Sequence, residues 1–413
     1  MIATQTWAIL VDVYRELNAK KLFWITMALS LLVVLAFAAV GLNDKGMTVL
    51  WWTLEIPGLN STAMDPADFY KLTFTGLGVQ IWLTWVAAIL ALVSTASMIP
   101  DMLAGGSIEL VLARPIARTR LFLTKYIAGL MFVFLQVLVF STASFFVIGI
   151  RGGAWEPGLF LAVPIVTLFF SYLFGVCVLF GVMTRSAIAS LLLTLLVWFL
   201  TFAMNATDMI MLMQKEKARL SVDRHASVLA ETRPKIAALE AELAEARERV
   251  AAGAPAEDAP EVRRLESRIG AGNAFVARIE ADAPGHARSL ETLTKWHRLI
   301  FGVKTVLPKT TETTELLNRW LVDLADLPDV GPSNSAEMDP DFAALMGGAS
   351  PGDAKVDPPK PRSVQVRDDD PELNRVVQER IRERSVWWVI GTSLGFEAVC
   401  VGIAVLIFSR RDF

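Results

Sequence analysis

The sequence is poor in the residues that most often mark chemistry. It has two cysteines and three histidines in 413 residues. Cys177 and Cys400 both sit inside apolar runs, so the polar part of the chain has no disulfide framework. His225, His286 and His297 are scattered along one polar stretch, with no H-E-x-x-H spacing and no Cys/His cluster. That pattern argues against a dedicated zinc site. A phosphate-cradling G-x-x-x-x-G-K-[ST] loop is missing too. The nearest stretch, Gly302-Val303-Lys304-Thr305, has no glycine beside its lysine, so the chain has no nucleotide site of that kind. Charge is scarce everywhere except in one block, roughly Gln214–Ser385, and the net charge of −3 gives no sign of nucleic-acid binding.

Long hydrophobic runs are what the sequence does have, and 54% of its residues are hydrophobic. Six runs are long enough to cross about 30 Å of hydrocarbon at about 1.5 Å per residue. They are Leu22–Leu42, Gly78–Ile99, Leu121–Ile150, Leu159–Met183, Ile188–Met213 and Val386–Phe408. Ala36-Phe37-Ala38 fits a leader-peptide cleavage site, but the apolar run continues past it, so it reads as a retained span.

Orientation follows from Lys and Arg in the short loops. One side holds Arg15, Lys20, Lys21, Arg114, Arg118, Arg120, Lys125, Arg185, Arg410 and Arg411; the other holds Lys45, Lys71 and Arg151. Ten against three predicts both termini in the cytoplasm, residues 214–385 outside, and a multi-pass protein of the inner (plasma) membrane in contact with lipid.

The expected fold is an all-α polytopic membrane protein with six transmembrane helices. Residues 1–21 form an amphipathic elbow helix with Trp7, Leu10, Val11, Tyr14 and Leu17 on one face. Residues 22–213 hold spans one to five, with the loop 101–120 between spans two and three. The outer segment Asn43–Leu77 reads as a compact loop with Trp51 and Trp52 at headgroup level.

The extracytoplasmic part, 214–385, opens with two heptad seams. Val222, Leu229, Ile236, Leu239, Leu243, Ala246 and Val250 form the first, with His225 and Thr232 as polar members. Val262, Leu265, Ile269, Val276, Ile279 and Ala283 form the second, with Gly272 as its weak layer and Pro284-Gly285 as its end. They predict an antiparallel coiled-coil hairpin over 215–283. Membrane-proximal helices follow over 289–324, then a loose linker over 326–370. Asp370-Pro371-Glu372 starts a helix over 371–385. Residues 386–413 are span six and a cytoplasmic tail.

Two places carry candidate chemistry. The first is the loop, where Asp101, Glu109, Arg114 and Arg118 form a polar face suited to docking on a partner through charge pairs. Arg114-Pro115 turns the chain back toward the membrane. The second is Glu397, near the middle of span six. An ionised carboxylate there costs at least about 2.5 kcal/mol, so it must face the bundle, take a proton or find a partner. Asn205 and Asp208 near the end of span five read as interfacial groups in contact with solvent, and the outer acidic residues as a solvated face.

The order Asp101, Gly106-Ser107, Ile108-Glu109-Leu110-Val111-Leu112, Arg114-Pro115, Ala117-Arg118 and Thr124-Lys125-Tyr126 resembles the permeases of type-2 ABC exporters. Ala117 and Thr124 depart from that family's pattern but leave the charges in place. The ending Phe408-Ser409-Arg410-Arg411-Asp412-Phe413, the elbow and the six spans resemble it too, and Leu307-Pro308-Lys309 does so more weakly.

The resemblance covers 1–213 and 386–413 and leaves the hairpin as an insertion. It implies a transport subunit, not an enzyme, with no cofactor of its own. ATP and Mg would be bound by separate ABC ATPase subunits, and a second permease copy or a homologous permease would complete the path. Asp101, Glu109, Arg114 and Arg118 would couple to the ATPase, and Glu397 would serve the pathway or the coupling. The hairpin would be free to bind an extracytoplasmic partner. An alternative is ATP-driven force transmission to such a partner without solute transport. A membrane-embedded transferase is the remaining class, and it lacks a catalytic cluster.

Overall fold

The structure is a computed structural model. It describes residues 11, 15, 21–54, 65–103, 117–251, 258–323, 366–368 and 370–410. Six of its helices are long and apolar enough to cross a membrane. The chain divides into two compact units. One comprises 1–206, 302–329 and 384–413; the other comprises 207–301 and 330–383.

The first unit is a helical bundle. Helix α1 (Lys21–Ala39) leads into a small antiparallel meander of β1 (Val40–Asn43), β2 (Gly46–Val49) and β3 (Trp52–Leu54). The fold is mostly helical, as expected, and this small sheet is an addition to it; it departs from the reading of 43–77 as a loop. Val, Thr and Trp favour extended backbone, and Gly46 turns the chain at φ 142°, a conformation that suits glycine. Trp51 and Trp52 are both exposed.

Helix α2 (Pro66–Leu103) begins well before the expected start at Gly78, because Asp65 caps it and Pro66 takes the first position. Helices α3 (Arg118–Arg151) and α4 (Pro157–Thr184) follow. Arg185 ends α4 in the left-handed conformation and returns its N–H to the Gly181 carbonyl. Helix α5 (Ala187–Ala251) starts two residues later.

Helix α4 is the hub, with most of its apolar stretch buried, and it packs against α2, α3 and the last span. Gly129 lets α3 approach it closely: a Cβ at this position would stand 2.6 Å from the Phe174 ring.

Helix α6 (Asp258–Val306) is followed by α7 (Thr310–Asp323). Helix α7 is not an appendage at the surface. Leu316 and Leu317 are fully buried in the main core, and α7 packs against α4, α2 and the last span. After α8 (Pro371–Arg382), helix α9 (Val386–Arg410) completes the bundle.

The second unit is built from the later part of α5, from α6 and from α8. Facing pairs follow one another in opposite chain order: Arg247 with Glu266 at 2.6 Å, Arg233 with Glu280 at 2.5 Å, and the His225 and His286 rings 4.7 Å apart. Between residues 261 and 290 of α6, the less exposed positions fall at 262, 265, 269, 272, 276, 279, 283, 286 and 290. That spacing of three and four is the one that lets two helices share a seam. It continues past Pro284, which the sequence predicts as an end; α6 runs through it. Asp370 caps α8 as expected, accepting from the Glu372 N–H at 3.0 Å. Leu212, Val366, Leu373 and Val377 form a separate small core.

Candidate functional site

The charged loop is described only at its edges. Glu109 and Arg114 lie outside the described residues, as does most of the elbow helix, of which Val11 and Arg15 are helical. Asp101 sits exposed in the last turns of α2. Arg118 opens α3, and its Nη1 reaches the Ser409 carbonyl at 3.5 Å. The Phe122 and Phe408 rings meet beside it, 5.5 Å apart. The loop's exit therefore lies in contact with the end of α9. Pro100 packs against Gly181 at this same end of the bundle, where the α4–α5 turn also lies.

Glu397 lies midway along α9 and faces the bundle. Its Oε1 accepts from the Tyr126 hydroxyl of α3 at 2.8 Å, and its Oε2 accepts from the Ser171 hydroxyl of α4 at 2.7 Å. Gly175 on α4 lies beside the side chain; a Cβ there would stand 3.4 Å from Glu397 Cγ, in ordinary contact. The three spans thus meet at one carboxyl group, which is held by hydroxyls. The sequence singles out Glu397 but not its partners, because Tyr126 stands 271 residues away and Ser171 226.

The bundle's other end carries a buried ionic cluster that sequence reasoning missed. Glu312 of α7 is 4% exposed and pairs with Lys304 and with Arg384, the latter at 2.6 Å. Lys309 is fully buried. Its Nζ donates to the carbonyls of Thr305 at 2.8 Å and Leu307 at 3.1 Å, and it lies over the Trp388 ring. Burial lowers its pKa to about 8, although the Glu312 charge pulls the other way. The backbone N–H of Lys309 donates to Ser393 Oγ at 2.9 Å, which pins the start of α7 to α9. Burial also pushes the neighbouring Glu315 carboxyl above its usual range. The weak signal available in the sequence was Leu307-Pro308-Lys309 followed by an acidic first turn.

The second unit also departs from the sequence reading. Asp208 is 1% exposed, with His297 Nε2 3.4 Å from its Oδ1, so it is not solvated. Glu216 is as buried, with Lys215, Arg219 and Arg380 around it. Arg224 holds Asp370 and Glu372 at 2.7 Å each, and the hydrogen bond to Arg224 keeps the Asp370 carboxyl below its usual range. His225 and His286 line a cleft of about 1260 Å³ with Lys217, Arg278 and Asp282. No group of three or more metal-ligating side chains stands together among the described residues. No protein-family model, curated protein or solved structure matches this chain.

Proposed function

We propose that this chain is the permease subunit of an ATP-binding-cassette exporter. Its six spans form half of a path that a second copy or a homologous permease completes. ATP and Mg are bound by separate ATPase subunits. Both termini and the loop 101–120 face the cytoplasm, and residues 214–385 stand outside as a coiled-coil hairpin with its supporting helices.

The observation that carries this reading is the charged segment between α2 and α3, whose exit residue Arg118 bonds to the end of α9. A push delivered to that segment has a direct route into the last span, and that span bears the bundle's carboxyl junction. Asp101, Glu109, Arg114 and Arg118 supply the docking charges.

A second reading, force transmission to an extracytoplasmic partner without solute transport, draws on the ion-paired seam between α5 and α6. Outside the membrane such a seam offers a surface for one.

The test is the paired reversal Arg114→Glu and Arg118→Glu in the tagged full chain, recovered from native membranes. The expected result is loss of a co-purifying ATPase, or ATP hydrolysis no longer tied to activity. Unchanged assembly and unchanged activity would refute the proposal. Hydrolysis that responds to no solute but to a bound outer partner would favour the second reading.

A further inference from the structure

Every polar contact of Glu397 is with a group that has somewhere else to turn. Tyr126 Oη has one proton and two acceptors, Glu397 Oε1 at 2.8 Å and the Ser171 carbonyl at 3.1 Å. Ser171 Oγ likewise has Glu397 Oε2 at 2.7 Å and the Leu168 carbonyl at 2.8 Å. Hydroxyls donate and accept, whereas an ammonium or guanidinium only donates. A cationic partner would fix the carboxylate in its charged form. Among the described residues Glu397 has no such partner. The groups that bear on its charge are Tyr126 of α3, Tyr172 of α4 and Cys400 of α9 itself, all neutral.

We propose that Glu397 is a reversible proton-binding site that ties α9 to α3 and α4 when ionised and relaxes that tie when protonated. In the ionised state both hydroxyls point at the carboxylate, and each bond is charge-assisted and correspondingly strong. When a proton binds one carboxylate oxygen, the carboxyl becomes a donor. One hydroxyl then accepts from it and turns its own proton to the fallback carbonyl. The carboxyl group and the two hydroxyls that hold it keep a partner in either state, so none of them carries the penalty of an orphaned donor or acceptor. What changes is the strength of the junction. The ligand is a proton, and the site resides wholly within this chain.

The test is pH-difference infrared spectroscopy on the full chain in lipid nanodiscs. A carboxylic C=O band should titrate in the parent protein and be absent from Glu397→Gln. Tyr126→Phe and Ser171→Ala each withdraw a donor from the charged form, so each should raise the midpoint by about one to two pH units. Hydrogen–deuterium exchange, corrected for intrinsic rates, should be faster around Glu397 below the midpoint than above it, and independent of pH in Glu397→Gln. The proposal is overturned if no band lost in Glu397→Gln titrates between about pH 4 and 10. It is equally overturned if both donor variants leave the midpoint unmoved or lower it, or if exchange does not follow protonation. None of these readouts needs an ATPase, so their outcome is separate from that of the exporter proposal.

Discussion

Lys309 offers a direct check on the buried ionic cluster. In water a lysine titrates near 10.5; in the folded protein burial lowers this one to about 8. Between these values the unfolded chain binds a proton that the folded chain does not, so stability must rise with pH across that window. Below pH 8 both states are charged and the full cost of burying the cation is present. A difference of two to three pH units corresponds to about 3 kcal/mol, of which about 2 to 3 kcal/mol is relieved between pH 7 and 10.

Lys309→Met removes the titrating group while keeping an unbranched side chain of similar length. It also loses two donated hydrogen bonds and the contact over Trp388, and these set a constant offset. The pH dependence of the difference between parent and variant isolates the lysine. The assay is denaturant unfolding in detergent at several pH values. The parent should gain on Lys309→Met by about 2 to 3 kcal/mol from pH 7 to 10. A flat difference, or one that runs the other way, would refute the reasoning.

Two further outcomes follow from the geometry. Gly129→Ala drives a methyl to 2.6 Å from the Phe174 ring, and the overpacking should lower stability by about 1 to 3 kcal/mol, seen as a lower unfolding midpoint with span insertion unchanged. A cysteine at exposed Ala230, with Cys177 and Cys400 replaced by serine, should react with an impermeant maleimide in intact cells; reaction only after permeabilisation would place residues 214–385 inside.

The six long apolar helices were legible because run length marks them: each apolar run of the sequence falls wholly or mostly within a helix long enough to cross a bilayer. Ile236, Leu265, Ile269 and Ile279, which the sequence marks by their spacing, are each buried. Asp370-Pro371-Glu372 was legible because a cap is a local device.

What escaped is non-local. Nothing near Glu312 in sequence announces that Arg384, 72 residues on, will meet it. Helix α7 has five large apolar residues, Leu316, Leu317, Trp320, Leu321 and Val322, among polar and charged ones, a pattern that fits a surface helix as well as one sunk in a bundle. The three scattered histidines gave no hint that two would face each other across α5 and α6. The small sheet was hidden because its strands are only three or four residues long.

The placement of α7 also sets an order of events during synthesis. Its partners Arg384 and Ser393 belong to the final segment of the bundle, so they leave the ribosome after everything else that α7 touches. Until they arrive, Glu312 has only Lys304 of its two cations, and the Lys309 amide lacks its acceptor on α9. The contacts that α7 makes with Arg384 and Ser393 can therefore form only after the polar stretch from α6 to α8 has been made. A chain stopped before Arg384 would leave Glu312 with Lys304 alone and the Lys309 amide without its partner on α9.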